Sequence, residues 1–72
     1  MSEEIRRVAA NQVILGDTTF NQCIVEIVDE RVVNYYCFED EMPLTEWLGG
    51  IIELRHTEDG TLKAYKNGKV IK

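Results

Sequence analysis

The stretch Leu62-Lys63-Ala64-Tyr65-Lys66-Asn67-Gly68-Lys69-Val70-Ile71-Lys72 decides the fold class. Asn67-Gly68 is its hinge. Both residues tolerate positive φ, and a type I′ turn needs that at both central positions. The stretch therefore predicts a tight β-hairpin. It pairs Lys66 with Lys69, Tyr65 with Val70 and Ala64 with Ile71.

The preceding hairpin, 50–66, can close in two ways. A two-residue Asp59-Gly60 loop places Leu54 opposite Tyr65 and turns Leu62 to the other face. A three-residue loop with a left-handed Gly60 pairs Leu54 with Ala64 and His56 with Leu62. This second register gathers Ile52, Leu54, Leu62, Ala64 and Ile71 on one side, with Glu53, Arg55, Lys63 and Tyr65 on the other. A one-residue slip reverses every side chain, so the cleaner segregation selects the bulged loop.

The same punctuation recurs upstream, at Gly16-Asp17, Asp29-Glu30 and Gly49-Gly50. Short runs rich in Val, Ile, Tyr and Phe lie between the breaks, which reads as an all-β chain. Strands are expected near 5–10, 12–15, 20–28, 32–38, 50–56, 61–66 and 69–72. The first two can be one bent strand. In the 20–38 hairpin, Cys23, Val25 and Ile27 share one face while Ile24 and Val28 share the other. That hairpin is thus apolar on both sides and needs cover on both. An Asp29-Glu30-Arg31 loop would set Cys23 opposite Cys37, a pair able to form a disulfide if oxidised.

The segment from Glu39 to Gly50 breaks the pattern. Pro43 suits a first helical turn and Gly49 suits a helix end, so a single helical turn is expected near 43–48. Trp47 would plug an open end of the sheet. The expected fold is one all-β domain spanning 1–72. It is an antiparallel meander of five to seven short strands forming a small roll, sandwich or partly open barrel, with that one helical turn.

The chain has 72 residues, 44% hydrophobic and 29% charged, with a net charge of −5. A chain this short buries only about 60% of its unfolded surface and has no room for a two-domain enzyme with a cleft. An acidic balance argues against a general nucleic-acid binder, which needs a positive field. The start lacks the basic and apolar regions of a signal peptide, and the longest apolar run is Tyr35-Tyr36-Cys37-Phe38. A cytoplasmic protein without a membrane span is expected. The two cysteines are then reduced packing residues.

Few residues point to chemistry. Two cysteines and the single His56 do not make a zinc site. His56 has no nucleophile or carboxylate placed for it by spacing and reads as a structural residue at a strand end. Glu39, Asp40, Glu41 and Glu46 form an acidic turn. A solvated turn is the first reading, ahead of a partner-facing patch or a hard-cation site. Lys63, Lys66, Lys69 and Lys72 line the last hairpin, where lysines protect an edge from pairing with another strand. A sharper reading lets this basic hairpin meet an acidic patch. No phosphate loop or nucleophile elbow occurs, so no catalytic, metal or cofactor site is expected.

Residues 8–36 carry a further signal. Val8-Ala9-Ala10-Asn11-Gln12-Val13-Ile14-Leu15 is followed by Ile24-Val25-Glu26-Ile27-Val28-Asp29-Glu30-Arg31-Val32-Val33. This run resembles the small β domain at the front of cyclic amidohydrolases. The His-x-His metal motif of those enzymes is absent, as is the barrel that carries it. The resemblance implies a β sandwich or roll and carries over no activity. The whole chain also resembles small proteins of Bacteroides-type gut bacteria.

The expected function is a non-enzymatic interaction or assembly module. A 72-residue core without metal or disulfide is marginal, and burying a second apolar face in a dimer would stabilise both copies. A homo-oligomer, with a dimer favoured, or another protein is the expected partner. Tyr35, Tyr36, Phe38, Met42 and Trp47 are the candidate interface. The runner-up uses the same aromatics as a groove for a small molecule or peptide. A third reading completes an enzyme site across an interface with His56.

Overall fold

A computed structural model describes residues 4–39 and 45–72. The described residues form seven strands: β1 (Arg6–Leu15), β2 (Thr18–Val28), β3 (Arg31–Cys37), β4 (Glu46–Trp47), β5 (Ile51–His56), β6 (Leu62–Lys66) and β7 (Lys69–Val70). They make one open sheet in the order β3-β2-β1-β5-β6-β7, with β4 paired to β1 off that path. The all-β class holds.

The C-terminal registers follow the sequence pattern. Leu54 pairs with Ala64 and His56 with Leu62, while Gly60 takes a φ of 87°. Tyr65 pairs with Val70 and Lys66 with Lys69 around Asn67 and Gly68, whose φ values are 54° and 81°.

β1 is one bent strand. Its pairing with β2 runs from Arg6 opposite Ile27 to Ala10 opposite Cys23, then resumes at Gln12 opposite Asn21. The skipped step is Asn11 facing Gln22, and Gln22 has a φ of 52°. At this step both strands exchange the residues they send inward. On β1 these change from Val8 and Ala10 to Val13 and Leu15; on β2 they change from Ile27, Val25 and Cys23 to Phe20.

The neighbouring edge breaks at the same level. β4 and β5 both run parallel to β1, and Leu48-Gly49-Gly50 separates them. The two glycines adopt φ values of 69° and 64°, which side chains rarely tolerate. The Leu48 and Gly49 N–H groups both donate to the Ala9 carbonyl, at 2.9 and 3.2 Å. Gly50 N–H donates to Asn11 Oδ1 at 2.8 Å, and Gln12 N–H donates to the Gly50 carbonyl at 3.1 Å. One corner therefore crosses three strands, and the same core stays inside on either side of it.

Two sequence expectations need correction. The chain is not a pure meander, because β4 and β5 lie parallel to β1. A parallel neighbour requires a long crossover, and the β2–β3 hairpin with the segment after it supplies one. The helical turn near 43–48 is replaced over its described part by strand β4. The free edge of β1 offers backbone groups at Val8 and Ala9, and Glu46-Trp47 pairs with them instead of coiling. Residues 43 and 44 lie outside the described residues, and no described residue is helical. Trp47 does not plug the sheet; it is 57% exposed.

The core gathers Val8, Ala10, Val13, Cys23, Val25, Ile27, Ile52, Leu54, Ala64 and Ile71. Burying a Val, Leu or Ile side chain contributes roughly 1.5–3 kcal/mol. The ion pairs Arg6–Glu46 and Lys63–Glu30 lie at the surface, where such pairs contribute about 0–1 kcal/mol. Packing therefore holds the fold. Val32 and Tyr35 from β3 and Leu62 from β6 cover the same core, so the sheet curls over it as an open roll. Lys63 of β6 reaches Glu30 in the β2–β3 turn at 3.7 Å across the opening.

Candidate interaction face

The outer face of the first half of the sheet carries an apolar row in register. Tyr36 on β3 pairs with Ile24 on β2, Ile24 with Ala9 on β1, and Ala9 with Trp47 on β4. Alternation creates this row. Val25 and Ile27 face inward, so Ile24 and Glu26 face outward; Leu48 packs on the core, so Trp47 faces out. Ile24 is fully buried although it stands apart from the inner core cluster. The middle of the row is therefore packed, while its Trp47 end is open to solvent.

A polar network flanks the row. Arg7 Nε donates to Glu26 Oε2 at 3.0 Å, and the Tyr36 hydroxyl donates to the same oxygen at 2.9 Å. Burial disfavours the Glu26 carboxylate, but the Tyr36 hydroxyl and the Arg7 guanidinium outweigh it. They hold its carboxyl below the ordinary glutamate value. Burial, and then the bond to Glu26, push the Tyr36 hydroxyl up. The bond to Glu26 also raises Arg7. The two bonds to Glu26 thereby tie β1, β2 and β3 together beside the row.

The predicted contact residues do not form one patch. Tyr36 and Trp47 share the outer row. Tyr35 points the other way, onto the core, with its ring 6.1 Å from that of Phe20. Phe38 is half-buried just past β3, and its N–H donates to the Gln22 carbonyl at 2.9 Å. Met42 lies outside the described residues, as do Asp40 and Glu41 of the acidic turn. Of that turn's other members, Glu39 is exposed and Glu46 accepts from Arg6 Nε at 2.9 Å. Arg6 also donates to the Lys72 carbonyl at 2.6 Å, tying the end of the chain to β1.

Sequence reading missed the Arg7–Glu26–Tyr36 network. The strand alternation already put Glu26 and Tyr36 on one face; the missing step was the β1–β2 register that brings in Arg7. It also missed the exposed side chains of Ile5, Val33 and Ile51.

His56 lies elsewhere. It lines an open depression with Ile14, Leu15, Gly16, Glu53, Leu54 and Arg55. Arg55 is already engaged there, paired with Glu53 and stacked 5.2 Å above the Tyr65 ring centre. Cys37 lies against Cys23 at the end of β3 instead of beside this histidine. Among the described residues no group of three or more His, Cys, Asp or Glu side chains is placed to hold a metal ion. No helix there is long and apolar enough to cross a membrane.

No family model matches the chain. No curated protein matches it either. The fold is similar to part of a solved structure of N-acetyl-D-glucosamine-6-phosphate deacetylase from Mycobacterium smegmatis. That structure is of a mutant in complex with N-acetyl-D-glucosamine-6-phosphate. The TM-score is 0.53 at 20% identity, covering 69% of this chain and 13% of that one. The chain thus spans a domain-sized fraction of the deacetylase. The small-domain resemblance read from residues 8–36 is found again in three dimensions, at the level of fold and without the catalytic barrel.

Proposed function

We propose that this protein is a non-enzymatic assembly module that self-associates, as a dimer, through the outer face ending in Trp47. One observation carries the reading. Trp47 is 57% exposed at the open end of a packed apolar row whose other end is Tyr36. Tryptophan and tyrosine are enriched at the energetic centres of interfaces. A large aromatic left in water beside the buried Ala9 is a ready anchor, and a second copy would bury it at both sites.

The comparison with the deacetylase supports a module of this kind without transferring its activity. There a similar fold makes up 13% of the chain and is joined to a much larger remainder. A β unit of similar fold is therefore found as a minor part of a larger protein. An aromatic groove for a small ligand has less support, because Tyr35 and Tyr36 point to opposite faces. We place the module in the cytoplasm.

Light scattering on size-exclusion fractions, taken over a concentration series, tests the proposal. The native chain should run as a dimer that dissociates on dilution. Trp47→Ser should run as a monomer with an unchanged far-UV spectrum. A native chain that stays monomeric at high micromolar concentration, or a Trp47→Ser variant that stays dimeric, would overturn it.

A further inference from the structure

We propose that Cys23 and Cys37 are a cross-strand dithiol that closes to a disulfide by exchange with small disulfides of the glutathione class. The two residues are direct partners in the β2–β3 ladder. Their sulfurs lie 2.9 Å apart. Opposed residues in an antiparallel pair have Cα atoms about 4.5–5.5 Å apart. A disulfide spans roughly 4.4–6.8 Å between Cα atoms, so closure needs no movement of either strand. A metal ion shared by two thiolates would hold the sulfurs further apart. At about 2.3 Å per zinc–sulfur bond, a tetrahedral ion sets them roughly 3.8 Å from each other. The observed contact fits a bond between the sulfurs better than a shared ion.

The two thiols are unequal, which fixes the order of events. Cys37 is exposed on an edge strand, and Cys23 is buried in the core. A small disulfide can reach Cys37 alone. Burial first, and the neighbouring Cys37 second, push the Cys23 thiol up to about 12.

In the first step the Cys37 thiolate attacks one sulfur of the small disulfide. That S–S bond breaks, one small thiolate leaves, and Cys37 carries a mixed disulfide. In the second step Cys23 gives its proton to water or to the departed thiolate and attacks Cys37 Sγ. The second small thiolate leaves and the Cys23–Cys37 bond forms. The protein gives up two electrons and two protons, and the small disulfide takes both to become two thiols. Because burial favours the protonated Cys23 thiol, the second step speeds up as pH rises.

The bond would sit at a useful place. Cys37 is the last residue of β3, and Cys23 adjoins the corner at Gln22. Closure fastens the end of an edge strand where the chain departs towards β4 and Trp47.

The test equilibrates the full native chain with oxidised and reduced glutathione in varied ratio. Acid quenching, thiol alkylation and intact-mass measurement then read the products, and peptide mapping locates the bonds. The expected result is a transient adduct on Cys37 that resolves into an intramolecular Cys23–Cys37 disulfide, faster at higher pH. Cys23→Ser should stop at the Cys37 adduct. Cys37→Ser should stay unmodified while folded. Two free thiols at equilibrium with oxidised glutathione, a Cys37 adduct that persists in the native chain, or only bonds between chains would overturn the proposal. The decisive readings come from the native chain, so misfolding of either variant leaves the test intact.

Discussion

The β2–β3 and β5–β6 hairpins are built from the same residue types but bury them differently. β5 and β6 send Ile52, Leu54 and Ala64 inward and keep Glu53, Arg55 and Lys63 outside. β2 buries Cys23, Val25 and Ile27 on one face and Ile24 and Val28 on the other. The β5–β6 hairpin therefore has a single register that satisfies its pattern. The β2–β3 hairpin has an apolar residue to bury whichever way it slips, so its register must be fixed by turn and bulge. That difference also distributes function. The outer face of β5–β6 carries Glu53, Arg55 and Lys63 beside the exposed Ile51, whereas the outer face of β2–β3 continues into Tyr36 and Trp47.

The largest expected effect tests whether that outer layer is truly packed. Leu54→Ala removes a buried side chain from the inner core and should cost about 2–5 kcal/mol. Ile24→Ala should cost a similar amount, because Ile24 is equally sealed from solvent on the outer face. Urea unfolding of both variants, read by Trp47 fluorescence and circular dichroism, makes the comparison. An Ile24→Ala cost below about 1 kcal/mol, close to the surface range, would mean that the outer row is open and the two hairpins are alike.

The turns sharpen the contrast at the next size down. Asp29-Glu30 and Asn67-Gly68 are both two-residue turns with positive φ throughout. Asn-Gly suits this geometry, and glutamate does not: left-handed backbone costs a residue with a Cβ about 1–2 kcal/mol. Gly68→Ala should therefore destabilise by about 1 kcal/mol. Glu30→Gly should stabilise by roughly 0.5–1 kcal/mol, after the greater freedom of glycine in the unfolded chain is subtracted. It also gives up the surface contact with Lys63, which reduces the gain slightly. Equal and opposite shifts in urea midpoint would locate strain in the ambiguous hairpin; a loss of stability in Glu30→Gly would remove that account.

These same turns explain what was legible in the sequence. Asn67-Gly68 and Gly60 name their own geometry, so both C-terminal registers follow from the residues alone. Glu30 gives no such signal, and a three-residue Asp29-Glu30-Arg31 loop is the natural expectation. The real turn is Asp29-Glu30, with Val28 paired to Arg31. A bulge then restores the offset: Ile27 pairs with Val32 but Glu26 pairs with Asn34, leaving Val33 unmatched and exposed. The two changes cancel, which is why Cys23 still meets Cys37. The Glu46-Trp47 strand was hidden for another reason. Two residues carry no periodicity, and their pairing depends on a free edge of β1 that only the assembled sheet presents. The outer row was hidden likewise, because Tyr36 and Trp47 meet only through β2 and β1.

The corner gives an intermediate test, since it joins the two halves. Asn11→Ala deletes the acceptor for the Gly50 N–H, a bond of 2.8 Å on an exposed edge. A loss of about 1 kcal/mol is expected. Hydrogen exchange should rise at Gly50, while the β6–β7 turn keeps its protection. Uniform loosening of both hairpins would show that the corner is not a local joint.

The smallest expected effect concerns pH, and it again separates the two hairpins. Glu26 has its carboxyl held below the ordinary value of about 4.3, chiefly by Tyr36 and then Arg7 acting against burial. Its contribution to stability is therefore complete above that ordinary value and is lost as pH falls through the lowered one. Tyr36 is raised, mainly by burial. Its contribution is complete below the ordinary tyrosine value of about 10 and is lost as pH climbs through the raised one. The β5–β6 turn has only an acid limb. There the Thr57 hydroxyl, followed by the Thr61 N–H, holds Asp59 at about 2. Glu26→Gln keeps an acceptor for Tyr36 but removes the charge. It should flatten the acid limb of the urea midpoint against pH to the part that belongs to Asp59, and should only shrink the alkaline limb, whose larger share comes from burial of Tyr36. Asp59→Asn should flatten the acid limb alone. An alkaline limb that survives unchanged in Glu26→Gln would show that Tyr36 titrates independently of Glu26, and the network beside the outer row would then be a contact without coupling.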